Sequence, residues 1–390
     1  MNPVRRNCAK RERYIFNTWM QSSLEGFKMG SAVYFFDFSK SEDVLEGIGN
    51  LLKAVSGCEI GSGKKVAVKT HFGEMGNYTH MRPAFVRRVV DFVKAAGALP
   101  FATDTTTLYP EGGRLTVHSS IETARYNGFT EEGLGCPITI ADGPDGYSAV
   151  AVSAKKIGAR RLEIVKVAKR IAGADAMVVV SHFKGHCMAG VGGAIKNLGM
   201  GCTSKDCKSA QHELHGCEFY HDLCLGCGEC VDACHFGALE MKEGKPEKNE
   251  KCVYCLTCMW TCENNAIKVL ENGKEWFQEG LAEAAAGVMY AMRGKPVVFL
   301  NFIFDVTPAC DCAAPAGKLV VQNVGILASR DPVAIDIASL DLVDKSTIIP
   351  DWDVAPPDVL GKINKARSRG HLEAAERLGM GSTDYDLITI

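Results

Sequence analysis

The chain has 390 residues, 46% of them hydrophobic and 23% charged, the balance of an ordinary globular protein. Its formal net charge of −2 gives no support to a nucleic-acid or membrane-surface role, so neither partner is expected. No apolar run approaches the roughly 18 residues of a membrane span. Seventeen cysteines would suggest a disulfide scaffold in a short secreted chain. Here eight of them form one metal-binding pattern, and a reducing, anaerobic cytoplasm is the expected setting.

Residues 1–28 carry Arg5, Arg6, Lys10, Arg11 and Arg13 without an apolar stripe. They read as a poorly ordered extension or a misassigned start, with a basic arm for a partner as the alternative. From residue 29 the pattern becomes regular. Val33–Phe38, Val66–Thr70, Pro137–Ala141, Met177–Ser181 and Val297–Phe302 read as buried strands. Helical spacing marks Val44–Val55, Pro83–Ala96, about Leu162–Ala172 and 275–293. This alternation predicts an α/β fold with a mostly parallel sheet and helices on both faces. Residues 218–270, where eight cysteines fall in two C-x2-C-x2-C-x3-C runs, interrupt it and read as a small bacterial-type two-cluster ferredoxin insertion, leaving 29–217 and 271–390 as the two parts of one α/β domain.

In open α/β sheets ligands sit beyond the carboxyl ends of the strands. Three such ends carry reactive side chains. His71 and Glu74 follow the first, with Arg82 soon after; Asp104 and Tyr109 follow the next, then Arg114; His182, Lys184 and His186 follow the third. A glycine-rich stretch then leads to Lys196 and Asn197. The histidines supply proton transfer, with Glu74 and Asp104 orienting them or binding a metal, while Lys184 anchors an anion. Lys196, Asn197, Arg82, Tyr109 and Arg114 are the expected substrate-binding groups. The stretch is neither a Walker loop nor a dinucleotide fingerprint.

Cys224, Cys227, Cys230 and Cys234 form a C-x2-C-x2-C-x3-C run, and Cys252, Cys255, Cys258 and Cys262 repeat it 28 residues later. In two-cluster ferredoxins the fourth cysteine of each run serves the other cluster. Two 4Fe–4S clusters are therefore expected, one on Cys224, Cys227, Cys230 and Cys262, the other on Cys252, Cys255, Cys258 and Cys234. Zinc or disulfides would leave the repeat, which extends to Ala238/Ala266 and Leu239/Ile267, without a reason. The proline usual after the fourth cysteine is replaced by His235 and Glu263. Cys310 and Cys312 are a possible extra metal or redox pair. Cys202, Cys207 and Cys217 have irregular spacing, and Cys58, Cys136 and Cys187 read as packing residues.

These segments resemble the uncharacterised iron–sulfur-centre proteins built on the domain of unknown function 362. The likeness rests on His71–Glu74, Asp104–Tyr109, His182–His186, Gly192–Gly201, Pro308–Cys312, Gly325–Ser329 and Asp331–Asp336. It implies an α/β domain with an inserted pair of ferredoxin motifs and no general activity. The expected function is an oxidoreductase passing electrons through the clusters to a small anionic substrate. Its partner is a ferredoxin-like electron donor or a redox partner enzyme. A non-catalytic electron-transfer subunit and a redox sensor are the alternatives.

Overall fold

The computed structural model describes residues 30–56, 59–108 and 113–390. The extension expected over 1–28, together with Cys58 and Tyr109, lies outside the described residues. The core is an eight-stranded sheet in the order Tyr385–Thr389, Ser31–Asp37, Gly325–Ser329, Val297–Ile303, Ala176–His182, Lys65–Lys69, Leu99–Asp104, Ile138–Ile140. Neighbours run parallel except at Gly325–Ser329, which is antiparallel to both strands beside it.

Alternation along the central strands sends side chains to two separate cores, as the strand period requires. Ala67, Met177, Val179, Phe299 and Leu327 face one core with the helices Ala194–Gly199, Gly273–Ala291 and Pro332–Lys345. Val66, Val68, Val178, Val180, Leu300 and Ile326 face the other with Val44–Ser56 and Pro83–Ala95. Strands buried on both faces read as unbroken apolar runs, which is why the sequence exposes them.

One expected helix is absent. Over Leu162–Ala172 the chain forms a strand, Ile164–Ala168, and only a one-turn helix, Lys169–Ala172. The strand pairs antiparallel with Ala149–Ser153. Val165 and Val167 point inward while Lys166 points out, so β-branched alternation overrides a weak helical spacing. The strand Tyr385–Thr389 had no signal in the sequence, since four of its five residues are exposed.

The cysteine-rich segment leaves the α/β part after the helix Lys205–His215 and returns at Gly273–Ala291. These helices lie so close that a Cβ on Gly280 would meet Leu214 Cδ1 at 2.2 Å. Between them lie two pairs of short antiparallel strands, Glu218–Phe219 with Ile267–Lys268 and Leu239–Lys242 with Lys245–Lys248.

Asp331 closes the far side of the sheet. Its carboxylate accepts from Val333 N and Ala334 N at the start of Pro332–Lys345, and also from Ser31 Oγ and Ser382 N. Asp331→Ala is expected to remove the roughly 0.5–2 kcal/mol of a good N-cap. The check is a lowered midpoint of denaturant unfolding with unchanged slope.

Candidate functional site

Four adjacent parallel strands end side by side, and their carboxyl ends carry a buried polar cluster. Lys69 ends one strand, wholly buried, and its Nζ reaches Asp104 Oδ1 at 2.9 Å, Asn197 Oδ1 at 2.7 Å and the Thr70 carbonyl at 3.1 Å. Asp104 ends the next strand. Burial pushes its carboxyl up, but Lys69 and its other cationic neighbours outweigh this and hold it below the usual range. Asp104 Oδ2 is buried without a hydrogen-bond partner, an acceptor left open toward the cluster.

Arg114 forks onto Glu74, at 3.1 Å to Oε1 and 2.7 Å to Oε2. Burial raises the Glu74 carboxyl even so. The loop bearing Glu74 is tied to the opposite wall by Glu74 N, which donates to the Asp311 carbonyl at 2.9 Å.

Asp311 is completely buried and gathers the third strand end. His182 Nδ1 lies 2.8 Å and 3.0 Å from its two oxygens, and Lys184 Nζ lies 3.1 Å from Oδ2. Against burial, His182 and Lys184 hold the Asp311 carboxyl far below its ordinary value. His182 Nε2 is 2.7 Å from the Phe304 carbonyl. Both ring nitrogens therefore face acceptors, which makes His182 a brace for Asp311 with neither nitrogen spare for a ligand.

His71 and His186 are arranged differently. His71 Nδ1 accepts from Gly73 N at 2.8 Å, and His186 Nδ1 accepts from Met188 N at 3.2 Å and Ala189 N at 3.1 Å. A nitrogen that accepts backbone N–H groups carries no hydrogen, so each neutral ring carries its hydrogen on Nε2. Burial, helped by Arg114, lowers His71 to about 3; burial likewise keeps His186 well below an ordinary histidine.

Lys196 Nζ lies 3.0 Å from Cys310 Sγ, and Cys312 N donates to the same sulfur at 3.4 Å. One ring nitrogen of His186 and the sulfurs of Cys310 and Cys312 lie within 4.8 Å of one another. Hydrogen bonding from Cys312, then the charges of Lys196 and Lys184, hold the Cys310 thiol well below its usual range despite burial. Burial alone would lower Lys196, but the Cys310 and Cys312 sulfurs raise it. Gly193 permits this loop to close: a Cβ there would meet Asp336 Oδ1 at 2.2 Å, and that carboxylate caps Ala194 N and Ile195 N at 2.7 Å and 2.9 Å.

The strand-end segments thus converge, but not every expected residue joins them. Asn197 is spent on Lys69, Val180 and Ser181. Arg82 is half-exposed and pairs with Asp305 at 2.6 Å, outside the buried cluster. Sequence reasoning missed Lys69, and it read Asp311 only as the carboxylate between Cys310 and Cys312, not as an anchor for His182 and Lys184. Lys69 was hidden inside an apolar run, and a charged residue in such a run was itself the available signal. Of the other cysteines, Cys136, Cys202 and Cys207 are buried, whereas Cys187 is exposed and does not pack as expected.

In the cysteine-rich segment two cavities open to solvent take in ≈ 440 Å³ and ≈ 390 Å³ with the space at their mouths, the near-equal sizes of a duplicated unit. The first is lined by Cys224, Cys227, Cys230 and Cys262, the second by Cys234, Cys252, Cys255 and Cys258, with Cys217 beside them. The fourth cysteine of each run has crossed to the other cavity. It takes Ala266 and Ile267, or Ala238 and Leu239, along with it. Ala238 N donates to Cys234 Sγ at 3.3 Å and Ala266 N to Cys262 Sγ at 3.4 Å.

The backbone repeats as well. Gly226, Gly228 and Gly237 have positive φ, and so do Tyr254, Leu256 and Asn265 at the same places 28 residues on. Tyrosine and leucine are strained there, and the Tyr254 ring and the Leu256 side chain make contacts that glycine could not, beside a backbone contact that any residue would make. The Tyr254 carbonyl is 3.3 Å from His212 Nδ1, and the Tyr254 ring meets His215. Leu256 packs with Met188, Ala189, Phe277 and Leu281. The second half of the module is therefore the half that docks on the α/β part, while Leu225 in the first half is 77% exposed.

Fold and site together define an α/β protein with a ferredoxin-type cysteine module. A family model described as "Domain of unknown function (DUF362)" matches residues 66–341, more than two thirds of the chain, and the chain belongs to that family. Over 55 residues it is 36% identical to a ferredoxin of Methanothermococcus thermolithotrophicus, covering 13% of this chain and 92% of the ferredoxin. Among solved structures, a protein from Thermotoga maritima aligns at 12% identity and TM-score 0.41, over 78% of this chain and 57% of that one. The lactate racemase apoprotein from Thermoanaerobacterium thermosaccharolyticum aligns at 14% identity and TM-score 0.34, over 73% and 53%. The chain thus spans just over half the length of these solved structures. No helix among the described residues is long and apolar enough to cross a membrane.

His71 and His212 are both lowered from 6.5 to about 3, chiefly by burial. Between those limits the unfolded chain binds protons that the native one refuses, so stability falls as pH drops from 6.5 toward 3. Denaturant titrations across that window are expected to show the decline, with a shallower slope in His212→Gln.

Proposed function

We propose that this chain is an iron–sulfur oxidoreductase that carries electrons from a ferredoxin-like donor or redox partner enzyme to a small anionic substrate at the strand ends. Cys224, Cys227, Cys230 and Cys262 would hold one 4Fe–4S cluster, and Cys252, Cys255, Cys258 and Cys234 the other. The observation that carries the reading is the docking of the second cavity's wall onto the candidate site. Tyr254 and Leu256 line that cavity. They reach His212, His215 and Phe277. Phe277 in turn stacks on His186, with ring centroids 6.2 Å apart and an interplanar angle of 5°.

The cavities fit the group in ligand number, in sulfur chemistry, and in their walls: Phe219 and Ile267 cover one, Phe236 and Leu239 the other. When bound, such clusters accept and release single electrons. The remaining roles belong to side chains. Lys184 and Lys196 are the ammonium groups an anion would meet at the strand ends, each already beside one acceptor, Asp311 and Cys310. His71 and His186 hold a hydrogen on Nε2 for donation, and Asp104 Oδ2 offers an acceptor. His182 and Asn197 position Asp311 and Lys69.

Anaerobically purified protein is expected to contain about eight iron atoms per chain, falling to about four in Cys230→Ala and in Cys252→Ala. Cys262→Ser should alter the same paramagnetic signal as Cys224→Ser, although it lies in the other run. Zinc in place of iron, or Cys262 grouping with Cys252, would sink the assignment. A native mass spectrum adds the test of catalysis: a further bound small molecule supports an enzyme, and two clusters alone favour an electron-transfer subunit.

A further inference from the structure

The buried charges of the strand-end cluster pair off in a revealing way. Lys69 meets Asp104, Arg114 meets Glu74, and Lys184 meets Asp311. Lys196 is partly buried, and its hydrogen-bonding partner is a sulfur, that of the buried Cys310, at 3.0 Å. An ammonium held 3.0 Å from a buried sulfur favours the thiolate there, so Cys310 supplies its counter-charge. The Cys312 amide donates to the same sulfur at 3.4 Å, a second stabilising contact that the C-x-C turn itself creates. The Cys312 thiol sits in the same small group, within 4.8 Å of Cys310 and His186. Two sulfurs this close, one of them a stabilised thiolate, are equipped to form a bond with each other.

A divalent metal on His186, Cys310 and Cys312 is the competing use of the same atoms, and the imidazole argues against it. A metal-binding histidine donates its other ring N–H to an acceptor. His186 Nδ1 instead accepts two backbone N–H groups. A metal at Nδ1 would displace both, and one at Nε2 would require an imidazolate.

We infer that Cys310 and Cys312 form a redox-active dithiol–disulfide couple, with Cys310 as the thiolate that Lys196 stabilises and Cys312 as its partner. Oxidation joins the two Sγ atoms in one S–S bond and releases two electrons and the protons the pair still carries. Reduction breaks that bond and returns two electrons, in single steps, from a low-potential donor of the ferredoxin class, with proton uptake. The identity of the electron source rests on the function proposed above; the couple itself does not. The chemistry places the substrate among two-electron acceptors that thiols reduce, such as small disulfides.

The test uses the full-length, anaerobically purified protein. It is equilibrated in dithiothreitol buffers of graded potential, denatured, alkylated and digested, and the peptide holding both cysteines is weighed. The expected result is a single two-electron transition from two alkylated thiols to none, while Cys136 and Cys202 stay alkylated throughout. Lys196→Met removes the charge that favours the reduced form, so its disulfide should be at least tenfold more favoured, a midpoint about 30 mV more negative. Lys196→Arg should stay near the wild type. Cys312→Ser, which keeps the fold's packing, must show no intramolecular transition.

A peptide that stays doubly alkylated at every potential overturns the couple. So does one protected from alkylation with a stoichiometric bound metal in the native mass spectrum. Adding a reduced ferredoxin to the oxidised protein separates the two readings. If it reopens the disulfide in wild type but not in Cys255→Ala, both stand. If the disulfide forms but is not reopened, the couple stands and the electron route fails.

Discussion

Asp311 is the knot of the structure. It is wholly buried, yet accepts from His182 and Lys184, and its own carbonyl accepts from Glu74 N. Three segments remote in sequence are thereby held at one point: the end of Ala176–His182, the loop after Lys65–Lys69, and the turn bearing Cys310 and Cys312. Such pairs add little net stability over an apolar packing of similar shape, but removing one partner leaves an unpaired buried charge at a cost of about 3–5 kcal/mol. Their value here is geometric. They set where the sulfurs of Cys310 and Cys312 lie relative to Lys196.

Around that knot the cluster is close to charge-balanced within itself. Lys69, Arg114 and Lys184 each have a carboxylate, and only Lys196 turns to sulfur. A site of this kind is preorganised: the dipoles and charges are in place before any ligand arrives, so little reorganisation is needed when charge develops. The neutral histidines, His71 and His186, complete it as groups that carry a hydrogen without adding a buried charge.

The cysteine module shows how a symmetric repeat becomes a directional part. Its two halves share a cysteine spacing, small apolar cover and left-handed backbone positions. They differ where glycine in the first half gives way to Tyr254 and Leu256 in the second. Those side chains, on a strained backbone, seat one half against Met188, Phe277 and His215. One cavity is thereby placed next to the α/β part and the other toward solvent.

Much of this was legible along the chain. Strands buried on both faces declare themselves as apolar runs, and cysteine spacing declares itself because loop geometry demands it; both are local properties. The misread segment, Ile164–Ala168, and the unmarked edge strand Tyr385–Thr389 are places where pairing with a distant strand decides the conformation. The sequence by itself determined the α/β alternation, the duplicated cysteine pattern and the polar strand ends. Only the tertiary structure decided that His182 is braced on both nitrogens, that Lys69 and Asp311 anchor the cluster, and that Lys196 pairs with Cys310. The reason is that the polar partners of the buried cluster lie far apart in the chain, Arg114 and Glu74 at a separation of 40, Lys69 and Asn197 at 128, His182 and Asp311 at 129, and no local pattern records which charges will meet there.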